Sequence, residues 1–268
     1  MTKVALSGAG GNVGRILRAE LPKHGIGLRS AGGSRPLEPL HAGEDLTHGD
    51  LRDPAVVDRL LEGIDVLVHM AGTSVERPLP EIIENNLRAL HEVYEGARRH
   101  SVRRVVFASS NHAFGMHPAG SRLKLDADFR PDGFYGLSKV WGEAMARMYW
   151  DKHGIEGVSL RIGTAMGRPP ENFRQLSTWM GTEDLVQLVL RSIRAERVGY
   201  AAVWGISANT RAYYDLGEGN AIGYQPAQNA EDWAEAILAQ PNPLDAVAQR
   251  FQGGSFASAD YDAERNTR

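Results

Sequence analysis

The stretch KVALSGAGGNVG, residues Lys3 to Gly14, joins a short apolar run to a glycine-rich turn and then to a helical pattern. Gly8, Gly11 and Gly14 stand at G-x-x-G-x-x-G spacing. Glycine suits those places because the backbone must turn sharply, come close to a pyrophosphate and present amide hydrogens at a helix N-terminus. A glycine triplet alone could be no more than a tight turn. Set between a first strand and a helix, it points to a bound dinucleotide.

Working outward, the same alternation continues. GIGLRS (Gly25–Ser30), DVLVHMAG (Asp65–Gly72), RRVVFASS (Arg103–Ser110) and GVSLRIG (Gly157–Gly163) look like buried strands. PAVVDRLLEG, PEIIENNLRALHEVYEGARRH and LSKVWGEAMARMYWDKHG carry apolar residues at helical spacing between them. Strands alternating with helices imply right-handed crossovers and an α/β, doubly wound parallel sheet, the Rossmann arrangement. Residues 1–163 read as the dinucleotide-binding core. Residues 164–268 read as a small substrate-binding extension within the same compact domain, with a helix near Glu183–Ala195 and a strand near Tyr200–Trp204. Such an extension would lie over the carboxyl ends of the strands, where open sheets bind ligands. The last dozen residues have the composition of a disordered tail.

The composition of the 268 residues is 42% hydrophobic and 24% charged, which is ordinary for a globular chain. A net charge of −3 without a basic run speaks against nucleic acid. No cysteine is present, so disulfides, thiolate metal sites and thiol catalysis are excluded. The N-terminal apolar run is too short for a membrane span and lacks a cleavage region, so the expected location is cytoplasmic. His112 and His117 have no third ligand at useful spacing, and no metal is expected. The sequence leaves a homo-oligomer open.

GFYGLSKVWGE, Gly133–Glu143, sets Tyr135 four residues before Lys139, on one face of a helix. With eight tyrosines in the chain, chance alone would give such a pair about 0.4 times, so the spacing needs its context. Asp50, in GDLRD after a third short strand, is placed to accept from an adenine amine, and a plain surface aspartate is the equal alternative.

Taken together, Gly8, Gly11, Gly14, Asp50, HMAG, Ser110, Tyr135 and Lys139 resemble the extended short-chain dehydrogenase/reductase superfamily, also called the NAD-dependent epimerase/dehydratase family. AGTSVERP, FASSNHAFG, RPDGFYGLSK, RIGTAMG, QLSTW, VWGISAN and RFQGGSF resemble the uronate dehydrogenases within it. That resemblance implies oxidation of the anomeric carbon of a hexuronic acid, such as glucuronate or galacturonate, to an aldarolactone. It implies Tyr135 as the base, Lys139 as its electrostatic partner and ribose ligand, and Ser110 as donor to the reacting oxygen. An adjacent ammonium is expected to lower the phenol's pKa from about 10. Asn12, Val13, Leu51 and Ala71, in the quoted stretches, would border the cofactor.

On the substrate side the resemblance implies Arg174 as the grip on the carboxylate, a task suited to a fork of donors. Arg161, Arg168 and Arg211 are neighbouring candidates. A lone histidine is more often structural, but at a sheet's carboxyl edge His112 is read as bonding sugar hydroxyls, with Asn111 beside it. Ser74 and Thr164 are further hydroxyls for the sugar, and Asn86 reads as a structural bridge. Two features depart from the uronate dehydrogenase pattern: Thr164 stands where serine is usual, and TAMGRPPENFR is one residue longer before its arginine. A sulfonated or other anionic aldose, or a neutral one, is therefore an alternative substrate. A nucleotide-sugar epimerase or dehydratase would need a larger C-terminal region, and a non-catalytic dinucleotide sensor would not need Ser110, Tyr135 and Lys139 together.

The cofactor reading divides. Family resemblance favours NAD, whose ribose hydroxyls are held by an acid at the end of the second strand. Here the chain reads LRSAGGSRPLEP, with Gly32 and Gly33 at that position. Ser34 and Arg35 offer a hydroxyl and a guanidinium suited to a 2′-phosphate, although GGSRP is also good turn chemistry. NADP is therefore expected to be accepted and preferred over NAD. Arg35→Ala should reduce kcat/KM for NADP by about ten- to hundredfold, or roughly 1.5–3 kcal/mol, and leave that for NAD nearly unchanged. A parent enzyme that strongly prefers NAD, with a preference the substitution does not move, would reject the reading.

Overall fold

The computed structural model describes residues 2–33, 36–40, 42–217 and 220–266. Seven parallel strands form one sheet: β1 (Lys3–Ser7), β2 (Gly27–Ala31), β3 (Asp45–Thr47), β4 (Val66–His69), β5 (Arg104–Ser110), β6 (Glu156–Ile162) and β7 (Tyr200–Gly205). Their order is β3-β2-β1-β4-β5-β6-β7, so the direction of winding reverses between β1 and β4. In open α/β sheets a ligand crevice opens at that reversal, beyond the carboxyl ends of the strands. β7, contributed from beyond residue 163, pairs along β6 from Gly157↔Tyr200 to Ile162↔Gly205 and completes the sheet.

Both faces of the sheet are buried, which is why its strands are continuous apolar runs. Side chains alternate between the faces. Val4, Leu6, Val66, Val68, Val158 and Leu160 join the core shared with helix α1 (Asn12–Glu20) and a later helix over Thr182–Arg194. Ala5, Leu67, Val105 and Phe107 join the opposite core. That second core is covered by α2 (Pro54–Leu61), by a long helix over residues 79–99, and by a helix over Phe134–His153.

The long helix is not uniform: α3 (Leu79–Ile82) and α4 (Ala89–Arg99) are joined by a π-helical stretch, Ile83–Arg88. Such bulges aim a side chain away from the regular helical row. The helix α5 (Phe134–His153) begins within GFYGLSKVWGE, which puts Tyr135 in its first turn. α6 (Gln175–Thr178) and α7 (Thr182–Arg194) follow β6.

Arg104 is fully buried and holds two elements together. It donates to Glu156 across β5 and β6, and to the backbone oxygens of Ser192 and Ile193 at the end of α7. Its charge thereby meets both a carboxylate and a helix C-terminus. At the start of the last dozen residues Ala257 is buried, and the Tyr261 ring lies 5.7 Å from that of Phe251.

Candidate active site

The carboxyl ends of β1, β4, β5 and β6 surround a cavity of about 480 Å³. Gly8, Gly11, Asn12, Val13 and Gly14 form one wall, and Met70 to Val75 the next. Ser110, His112, Tyr135, Lys139, Thr164 and Arg174 line the remainder, together with Gly253, Ser255 and Phe256 from the C-terminal segment.

The fit of this cavity to a dinucleotide rests on backbone approach. A Cβ at Gly14 would lie 2.0 Å from the Gly8 carbonyl oxygen, and one at Gly8 would lie 2.6 Å from the Ala71 nitrogen. Gly8 also has φ +72°, a conformation open to glycine. α1 starts at Gly11 with no side-chain cap and no acid in its first turn, so its end is suited to an anion.

Three expected catalytic residues converge here from separate elements. Ser110 ends β5, while Tyr135 and Lys139 share a face of α5. Lys139 Nζ sits 5.4 Å from the Tyr135 ring centroid and donates to the Ala108 carbonyl at 2.8 Å. The Tyr135 position is fixed from a distance: both Glu76 carboxylate oxygens cap α5, accepting from Phe134 N and Tyr135 N at 2.9 Å each. Asn86, on the π-helical stretch, accepts from Thr73 N at 2.7 Å and donates to Ser138 Oγ at 2.9 Å. It ties the loop after β4 to α5, as the structural reading expects.

With this geometry in view, the model of the NAD dependent epimerase/dehydratase family matches residues 4–207. This chain belongs to that family. It is 40% identical to a uronate dehydrogenase of Pseudomonas putida, over 96% of each chain. It is 41% identical to a uronate dehydrogenase of Agrobacterium fabrum, over 96% of this chain and 97% of the other. A crystal structure of a mutant uronate dehydrogenase from Agrobacterium tumefaciens complexed with NAD superposes with a TM-score of 0.90 at 40% identity, covering 96% of this chain and 97% of that one.

In this epimerase/dehydratase chain the four candidate arginines separate clearly. Arg161 is buried against Glu143 at 3.0 Å, Arg168 pairs with Glu171 at 3.1 Å, and Arg211 pairs with Glu231 at 2.8 Å. Arg174 has no carboxylate partner among the described residues. Its Nε donates to the Gln252 carbonyl at 2.6 Å, and its buried Nη2 has no partner among them. Of the four it alone lines the cavity.

His112 lines the cavity too, with Nδ1 2.6 Å from Asp132 Oδ2 and its ring stacked on Phe256 at 4.0 Å. Thr164 shares a 2.9 Å hydrogen bond with Thr178, and Ser74 is exposed on the cavity wall. Three expected residues are placed elsewhere. Asn111 is buried and off the wall but adjoins it: its Oδ1 accepts from Ser110 Oγ at 3.3 Å, and its Nδ2 has no partner among the described residues. Asp50 lies outside the wall, its carboxylate taken up by Arg52 at 2.5 Å, and that guanidinium holds its carboxyl below the usual carboxylate range. Leu51 is buried in the core beneath. Ser34 and Arg35 lie outside the described residues.

The environment shifts the acid–base groups against the simplest expectation. Burial pushes the Tyr135 phenol up to about 12, with the Ser110 hydroxyl pulling it partly back. The lowering expected from Lys139 is not seen, because an ammonium brought down to about 8 has lost its charge before a phenol near 12 would ionise. Burial also brings Lys139 down from 10.5 to about 8, so it remains mostly charged at neutral pH. Among the described residues no three His, Asp or Glu side chains are grouped to hold a metal, and no helix is long and apolar enough to cross a membrane.

Sequence reading missed Glu76, Asp132, Gln252 and Phe256. AGTSVERP, RPDGFYGLSK and RFQGGSF, which contain them, carried a signal only through the resemblance, with no role assigned to these four residues. The Lys139 shift has a measurable consequence. Between pH 8 and 10.5 the unfolded chain keeps a proton that the folded chain has lost, so this site's contribution to stability rises with pH across that window. Below it, burying the charge costs on the order of 3 kcal/mol. Lys139→Met also loses the bond to Ala108, worth about 1 kcal/mol. It should therefore be more stable than the parent at pH 7 by roughly 1–3 kcal/mol, with the advantage gone by pH 10.5. Urea unfolding at several pH values checks this; a difference independent of pH would show that Lys139 titrates normally.

Proposed function

We propose that this protein oxidises C1 of a hexuronic acid, glucuronate or galacturonate, to the aldarolactone. The observation that carries the reading is Arg174, a cavity-lining guanidinium without a carboxylate partner among the described residues, in the same cavity as Ser110, Tyr135 and Lys139. A cation left unpaired in a partly buried site is costly unless an anion completes it. The similarity to uronate dehydrogenases over nearly the whole chain supports the same class of acid.

A bound oxidised nicotinamide dinucleotide supplies the hydride acceptor and a positive charge beside the phenol. Gly8, Gly11, Asn12, Val13, Gly14 and Ala71 would hold it, with Lys139 at its ribose. Ser110 donates to the oxygen on C1 and stabilises the charge that develops there. Tyr135 accepts the proton of the C1 hydroxyl, which becomes strongly acidic as the hydride departs, so a phenol with a raised pKa need not be ionised far in advance. Lys139 keeps a positive charge near the resulting phenolate, and Arg174 fixes the sugar by its carboxylate. NADP is the preferred cofactor in this reading, supported by the missing carboxylate at Gly32 and Gly33 and by Ser34 and Arg35 in the sequence. The reaction would take place in the cytoplasm.

The experiment is a panel of glucuronate, galacturonate, glucose and a sulfonated hexose, assayed by cofactor reduction on the parent, Arg174→Ala and Tyr135→Phe. Tyr135→Phe should lower turnover by about 10²–10⁴-fold on every substrate while cofactor affinity changes little. Arg174→Ala should lower kcat/KM on the acids by about ten- to hundredfold, roughly 1.5–3 kcal/mol, with little loss on glucose. Equal losses on glucuronate and glucose would reject the anion reader, and a Tyr135→Phe variant with most of its activity would reject the base.

A further inference from the structure

Asp132 takes no part in the reaction as described, yet a site has been built around it. Its side chain is fully buried, and Oδ2 lies 2.6 Å from His112 Nδ1. Glycines from three segments make the room: a Cβ on Gly115 or Gly253 would lie 1.9 or 2.1 Å from Oδ2, and one on Gly136 would lie 3.0 Å from Oδ1. Oδ1 has no partner among the described residues, so the bond to His112 is the one hydrogen bond there that offsets burying this acid.

A carboxylate can only accept, so the bond requires the proton of neutral His112 to sit on Nδ1. Burial lowers the His112 pKa, which keeps the ring neutral. Nε2, the other ring nitrogen, then has a lone pair and no proton, on a ring that lines the cavity and is held flat against Phe256 at 4.0 Å. Resting on the proposed sugar oxidation, we infer that Asp132 is a positioning residue that locks His112 in the Nδ1–H tautomer, so that Nε2 accepts a hydrogen bond from a hydroxyl of the sugar. The site thereby demands a hydroxyl that donates at that place, while Arg174 demands an anion.

The test combines a spectroscopic and a kinetic arm, both on enzyme saturated with its nicotinamide cofactor. Imidazole ¹⁵N NMR of histidine-labelled protein, with His112 assigned by the loss of its signals in His112→Gln, should show Nδ1 protonated and Nε2 bare. Asp132→Asn, which keeps shape but adds a donor, should shift that tautomer and raise KM for the uronate about tenfold, with kcat changed less than about threefold. On a His112→Gln background the same substitution should add almost nothing, because the two residues act through one bond. A proton on Nε2 in the parent overturns the proposal, as does an Asp132→Asn loss that persists without His112. If no uronate is oxidised, it is the proposed function that fails, and the tautomer measurement alone decides this inference.

Discussion

A methyl group on residue 14 would sit 2.0 Å from the Gly8 carbonyl oxygen, and the site depends on the absence of that methyl. The contact lets α1 press its N-terminus onto the turn after β1, while Gly8 itself abuts the backbone of Met70 and Ala71 after β4. Two neighbouring strands and a helix end thus meet with backbone against backbone. Where backbones touch, a ligand can be gripped by amide hydrogens, and the parallel sheet delivers the ends of β5 and β6 to the same edge. The side-chain chemistry of Ser110, Tyr135 and Lys139 has a fixed frame because of that packing.

Buried charge is handled in two contrasting ways on either side of the frame. Away from the cavity every deeply buried cation is neutralised: Arg104 by Glu156 and helix carbonyls, Arg161 by Glu143, and Arg18 by Glu44. Inside the cavity Lys139 and Arg174 meet only backbone oxygens among the described residues. Placing both there costs stability, and under the proposed function ligand oxygens would complete them. Function and stability pull against each other at those two residues and agree nearly everywhere else.

Much of this was legible from the sequence. Apolar runs and helical spacing marked the strands and helices, and the strand–turn–helix setting gave the glycines their meaning. What escaped was set by contacts between distant residues. Glu76 caps α5 from the loop after β4 rather than from the residue before the helix, a contact that no local pattern announces. The Tyr135 pKa moved up rather than down, since burial depends on the packing of the whole site and spacing cannot report it. Asp132 lay in the quoted RPDGFYGLSK without a role of its own, because its importance lies in glycines at 115, 136 and 253 that close around it only in three dimensions.

The segment Gln252–Phe256 reaches both proposed substrate readers, through the Gln252 carbonyl on Arg174 Nε and the Phe256 ring on His112. It also leaves the ribosome after the whole sheet. Chains fold from the N-terminus as they are made, and all seven strands precede this segment. The nascent protein can therefore assemble its nucleotide cradle and its Tyr135–Lys139 pair while the sugar pocket is still unfinished. Changes confined to this segment can then re-tune the proposed sugar pocket without disturbing the Tyr135–Lys139 pair.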